Sequence, residues 1–174
     1  MTATVFGVDA NQFVGVAGCA LAAVACGRRA WAGRPPWRSP WVWLTAAQGL
    51  FALEMMSDLR YRAHRLVDAV LRSHDWYATR LSLQLTLLLL LLLLLSAAAA
   101  SLWRLQRRDA AAAMAAAGSV LMAGLLLVEI VSLHAVDAIM YTPLGPINIV
   151  AWAWAVASAT VILSAQAGRR RRAA

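Results

Sequence analysis

An uncharged, largely apolar run from Leu81 to Trp103 constrains this chain more than any other feature. The run includes nine consecutive leucines, Leu87 to Leu95. As a helix rising about 1.5 Å per residue it is long enough to cross a bilayer core of about 30 Å. The sequence therefore predicts a transmembrane helix here. The leucine block has no small residues for close packing, which predicts that this helix faces lipid.

Four further apolar runs predict transmembrane helices over about residues 8–26, 41–57, 112–136 and 147–167. Arginines end the first run, prolines separate the first from the second, and Asp109 is placed to cap the helix over 112–136. The chain is 62% hydrophobic, whereas about half of the residues in a soluble domain are apolar. The sequence thus predicts an all-α membrane protein, one integral membrane domain over residues 1–174 with a bundle of about five transmembrane helices. The first run lacks a preceding basic region, so we expect it to be retained rather than cleaved as a signal peptide.

A charged segment follows the second predicted helix, over residues 58–75. Its apolar residues recur at helical spacing, and Asp58 and Arg62, four residues apart, form a favourable pair on one face. We interpret the segment as an amphipathic extension or interfacial helix at the membrane surface, which either lies on the bilayer or docks a partner.

The positive charge of the chain indicates its orientation in the membrane. The net charge is +8, and all sixteen basic residues are arginine. Eleven of them fall in the loops and tail that share one side of the predicted bundle, which by the positive-inside rule is cytoplasmic. We therefore predict a cell-membrane protein with its N-terminus outside and its C-terminus cytoplasmic. The arginines alternate with apolar runs, so we expect anionic lipids at the cytoplasmic face, and no nucleic acid, as their partner.

Ionisable residues at the outer ends of the second and fourth predicted helices are the candidate site. Glu129 lies within otherwise apolar sequence, about 12 Å deeper than Asp137 along a helix, and His134 is one turn from Asp137. Glu54 reaches the same outer layer from helix two. Carboxylates with one imidazole suit a divalent metal or a proton relay. The sequence therefore predicts Glu129, His134, Asp137 and Glu54 as ligands of an ion, metal or proton-linked site in the outer half of the bundle.

A purely structural interpretation stands beside this one: Glu129 pairs with Arg60 or Arg62 to join two helices, and the chain is an accessory subunit of a larger membrane assembly. Copper binding by methionines at the helix ends is a further alternative. No haem is expected, because one intramembrane histidine is too few for two axial ligands. Cys19 and Cys26, seven residues apart on one helix, lie too far apart for a disulfide. The sequence has no phosphate loop, nucleophile elbow or paired-cysteine motif, so whether the chain is an enzyme stays open.

Overall fold

The computed structural model describes residues 4–5, 8–32, 40–57, 109–131 and 134–173, with single residues or short groups between 59 and 107. Five helices occupy the continuous stretches. They are α1 (Ala10–Trp31), α2 (Pro40–Ser57), α3 (Ala110–Val131), α4 (His134–Met140) and α5 (Ile149–Ala173). Two antiparallel pairs of two-residue strands accompany them: β1 (Thr4–Val5) with β2 (Val8–Asp9), and β3 (Pro143–Leu144) with β4 (Ile147–Asn148).

The four long helices pack as a ring, in which α1 contacts α2 and α5, and α3 contacts α5 and α2. Contacts of Gly15 with Met55 and of Gly27 with Thr45 show that α1 and α2 are antiparallel. Contacts of Gly15 with Trp154 and of Gly18 with Ser158 show that α1 and α5 are parallel. The ring consequently has two distinct ends. We call the end where α1 and α5 begin the carboxylate end, and the end where α2 and α3 begin the arginine end.

Local signals in the sequence explain where these helices start. The Asp9 carboxylate accepts a hydrogen bond from the backbone N–H of Asn11 at 2.8 Å and so caps α1. Asp109 accepts from the N–H of Ala112 at 3.0 Å, which confirms the predicted cap of α3. Pro40 occupies the first position of α2, where its missing N–H would have had no partner within the helix.

A tight β-hairpin leads into α5. Gly145, between β3 and β4, has φ 74°, a left-handed conformation that glycine reaches without a clash from a Cβ atom. The indole N–H of Trp152 donates to the carbonyl oxygen of Leu144 at 2.9 Å. This bond fixes the hairpin against the first turn of α5.

Two buried clusters fill the ring, one toward each end. The cluster at the carboxylate end joins all four long helices and Met140 of α4, with Met55, Met122 and Trp154 as its largest members. The cluster at the arginine end is built around Trp41 and Leu44 and is otherwise mostly alanine. Small residues let the helices approach closely. In a bilayer, where no hydrophobic driving force acts between helices, such close packing is what favours their association.

Three of the described helices are long and apolar enough to cross a membrane, namely Ala10–Trp31, Ala110–Glu129 and Ile149–Ala167. α2 is shorter, with 18 residues, and carries both Gln48 and Glu54. The part of the chain that the structure describes is thus mostly helical and fits a membrane location.

The observed bounds differ from the predicted ones at several helix ends. α1 continues to Trp31 instead of ending near residue 26, and α5 runs from Ile149 to Ala173 instead of over 147–167. The first helix begins at Ala10 rather than near Val8, because residue 8 pairs in β2 and Asp9 is the cap. The helix predicted over 112–136 is described as α3 (Ala110–Val131) and α4 (His134–Met140), and residues 132–133 between them lie outside the described residues. The predictions over 81–103 and 58–75 lie largely outside the described residues. Those described within 81–103, such as Leu89 and Leu93, are helical, and both of these leucines are exposed.

Candidate functional site

Hydrogen bonds through the side chains of Asp9 and Asn11 join the start of α1 to the backbone just before α5 at the carboxylate end. The Asp9 carboxylate accepts from the side-chain amide of Asn11 at 2.8 Å as well as from its backbone. The Asn11 side-chain oxygen in turn accepts from the backbone N–H of Asn148 at 2.8 Å. These contacts orient the Asn11 amide and link two segments through residues that are 137 positions apart in sequence.

Gln12 connects the same end of α1 to α2. Its side-chain amide donates to the carbonyl oxygen of Met55 at 2.8 Å. Met55 lies in the last turn of α2, where carbonyl groups have no partner within the helix, so the Gln12 amide satisfies one of them. Polar residues that interrupt the first apolar run therefore have structural partners at this end.

Glu129 and Glu54 both lie at the carboxylate end. Glu129 is in the last turn of α3, one turn beyond the core residue Leu126, and only 9% of its surface is exposed. Both of its carboxylate oxygens are shielded from solvent. Glu54 is half-buried, beside the fully buried Met55 on α2. The parallel run of α2 and α3 brings these two carboxylates to one end of the ring.

The backbones of His134 and Asp137 lie in α4, directly after α3, whereas their side chains lie outside the described residues. In the described part of the chain, no group of three or more His, Cys, Asp or Glu side chains is close enough to hold a metal ion. The four-residue metal site of Glu129, His134, Asp137 and Glu54 accordingly stays a prediction. The structure does place Glu54, Glu129 and the backbone of α4 at one end of the bundle.

A second polar layer, which the sequence analysis did not identify, crosses the middle of the ring. Gln48 of α2 is completely buried, and its amide donates to the Ser119 hydroxyl of α3 at 2.9 Å. Ser119 itself donates to the carbonyl oxygen of Ala115 at 3.0 Å. The Gln48 side-chain oxygen has no hydrogen-bond partner among the described residues. A glutamine in the middle of an apolar helix was the signal that could have identified this layer.

Cys19 of α1 and Ser158 of α5 lie beside each other in the interior of the ring. Cys19 is a fully buried free thiol beside Ser158, whose side chain is 2% exposed and lies against Gly18. Cys26, also free, is fully buried in the arginine-end cluster. Buried thiols in apolar surroundings behave as small apolar groups, so these residues are packing elements of the interior.

Comparison with models of known protein families, with curated proteins and with solved structures finds no significant match.

Proposed function

We propose that this chain is a small multi-pass protein of the cell membrane whose carboxylate end holds a proton-linked or cation-linked site centred on Glu129. One observation carries the proposal. Glu129 is 9% exposed, at the end of a helix long and apolar enough to cross a membrane, and one turn beyond the core residue Leu126. An ionisable group in that position is expensive for a membrane protein and by default indicates function.

The chemistry of the surrounding end supports a cation or a proton rather than a soft metal. Glu54 supplies a second carboxylate, and the Asn11 and Asn148 side chains supply amide oxygens at the same end. The Asn148 side-chain oxygen is shielded from solvent and has no hydrogen-bond partner in the described part of the chain. Oxygen atoms of this kind are the ligands that hard cations prefer. The predicted ligands His134 and Asp137 would join this set from α4.

The predicted orientation completes the proposal. Because α1 and α5 are parallel and α2 and α3 run the other way, Arg28, Arg29 and Arg107 fall at the end opposite Glu129. The positive-inside rule assigns the arginine end to the cytoplasm. The carboxylate end, with the N-terminus, then faces outward and exchanges protons or cations with the exterior.

Thermal melting of the purified protein in detergent tests the site without knowledge of a transport activity. A ligand that binds only the folded state at a concentration of 100 Kd stabilises it by about 2.7 kcal/mol, roughly 5–11 °C for a chain of this size. We expect the wild type to shift in this range with Mn²⁺ or between pH 5.5 and 7.5. Glu129→Gln should keep the fold and lose the shift.

Glu54→Gln is the matched control, because it makes the same chemical change at a half-buried carboxylate on the same end. We expect it to reduce the shift without abolishing it. A Glu129→Gln variant that melts like wild type with an unchanged response to pH and Mn²⁺ would overturn the proposal. A variant that is destabilised under all conditions, and is rescued by an apolar residue at Arg60 or Arg62, would instead support the accessory-subunit alternative.

A further inference from the structure

A surface groove of about 360 Å³ runs between α1 and α5 near the arginine end. Its walls and floor are apolar, formed by Leu21, Val24 and Ala25 of α1 and by Ile162 and Ala165 of α5. Arg28 and Gln166 supply its polar groups. The groove is therefore amphipathic along its length, apolar toward the middle of the bundle and polar toward the end.

Side-chain size explains the groove. Leu21 and Val24 are 61% and 59% exposed and stand as one wall, whereas the small residues Ala25 and Ala165 lie at the helix contact and leave space between the helices. From Leu21 to Arg28 the groove follows α1 for about 10 Å. Both helices are long and apolar enough to span a membrane. In a bilayer that they cross, the apolar part of this groove would face hydrocarbon rather than water.

Arg28 lies at the level where the apolar part of α1 ends. The neighbouring Arg29 is engaged with the Trp41 ring, with its guanidinium carbon 5.7 Å from the ring centroid. Arg28, by contrast, is exposed and lines the groove. Trp31, one turn further on, is 93% exposed, and tryptophans in this position mark the headgroup level of a membrane.

We propose that this groove binds one anionic phospholipid, with an acyl chain along Leu21, Val24 and Ile162 and the phosphate on Arg28. A planar guanidinium can form paired hydrogen bonds with phosphate oxygens, and Gln166, which lines the same groove, carries an amide that can donate to a headgroup oxygen. A lipid fits better than a peptide, because an acyl chain has no backbone N–H or C=O groups to satisfy in hydrocarbon. This site lies at the opposite end from Glu129 and does not depend on the function proposed for it.

Native mass spectrometry of the detergent-purified full chain tests the proposal with two lipids of identical acyl chains, dioleoylphosphatidylglycerol and dioleoylphosphatidylcholine. We expect the anionic lipid to bind about tenfold more tightly. Arg28→Gln should weaken phosphatidylglycerol binding about tenfold and remove this preference. Arg104→Gln is the matched control, because Arg104 is also an exposed arginine but does not line the groove. We expect it to bind both lipids like the wild type.

The apolar part of the groove is tested by a second matched pair. Val24→Trp should fill the groove and weaken the binding of both lipids. Val156→Trp makes the same change at a valine that is equally exposed, at 59%, but lies on α5 outside the groove, so it should leave both affinities unchanged. Both positions are exposed, so we expect both variants to fold, which the melting temperature checks.

Three results would overturn the proposal. Equal losses in Arg28→Gln and Arg104→Gln would mean that diffuse positive charge alone attracts the lipid. Competition by glycerol 3-phosphate at the lipid's own concentration would assign Arg28 to a free phosphate compound. A protein dimer that Val24→Trp abolishes and Val156→Trp retains would mean that a second copy of the chain occupies the groove.

Discussion

Replacing Gly118 with alanine tests the close packing of α3 against α5. A Cβ atom at this position would lie 2.8 Å from the carbonyl oxygen of Ala157 and 3.0 Å from a methyl carbon of Val161. The oxygen belongs to the backbone of α5, so it cannot be moved by a side-chain rotation. The two helices would have to separate. Gly49 of α2 is the matched control, because a Cβ atom there would meet nothing within 4 Å.

The expected magnitude follows from two opposing effects. Alanine is more favourable than glycine inside a helix by about 1 kcal/mol, and this gain applies at both positions. Overpacking a tight contact costs about 1–3 kcal/mol, and this cost applies only at Gly118. The difference between the two variants isolates the overpacking term. We therefore expect Gly118→Ala to be less stable than Gly49→Ala by about 1–3 kcal/mol, and Gly49→Ala to be more stable than wild type.

The assay is thermal unfolding in one detergent, followed by the fluorescence of the eight tryptophans. For a chain of this size about 2–4 °C corresponds to 1 kcal/mol, so the two variants should melt roughly 2–12 °C apart. If Gly118→Ala melted together with or above Gly49→Ala, the contact of Gly118 with the α5 backbone would be refuted. The packing of α3 against α5 within the ring would then be wrong.

Two further predictions concern the middle and the ends of the bundle. Ser119→Ala should lower the free energy of unfolding by about 1–3 kcal/mol, because it leaves the buried amide of Gln48 without its acceptor. The double variant with Gln48→Leu should recover most of the loss. Chemical denaturation measures both variants, and a double variant no more stable than Ser119→Ala would contradict the pairing. A cysteine introduced at Thr142, in the turn at the carboxylate end, should react with a membrane-impermeant thiol reagent from outside intact cells, whereas one introduced at Ala32 should react only after permeabilisation. The reverse labelling pattern would invert the proposed orientation and place Glu129 toward the cytoplasm.

Much of the fold was predictable because apolar runs and caps are local features. The runs over 41–57 and 147–167 correspond to α2 (Pro40–Ser57) and most of α5 (Ile149–Ala173), and Asp109 caps α3 as expected. The start of α1 was less predictable. Asn11 and Gln12 look like interruptions in the sequence, and they are accommodated only because Asn148 and Met55, distant in the chain, provide partners for their side chains.

The sequence predicted at which end of the bundle Glu54 and Glu129 lie, but not which side chains contact one another. Alternating helix directions are enough to bring Glu54 and Glu129 to one end of the bundle, since each lies near the end of a helix running the same way. Which side chains face the interior depends on how each helix is rotated, and the sequence does not encode that at any single position. The pair of Gln48 and Ser119 shows this. Each residue is a polar group in a mostly apolar helix, and only packing reveals that they share a hydrogen bond.

The parallel arrangement of α1 and α5 gives one helix pair two chemically opposite ends. Asn11 and Asn148 join the pair at the carboxylate end, and the Arg28 groove opens between the same two helices at the other. Asn11 and Arg28 are seventeen positions apart on α1, about 25 Å along the helix. Effects of substitutions more than about 7–10 Å apart with no shared partners usually add. Glu129 lies at the same end as Asn11, so a lipid effect of Arg28→Gln and a pH or Mn²⁺ effect of Glu129→Gln can be assigned to separate sites, and the failure of one would leave the other standing.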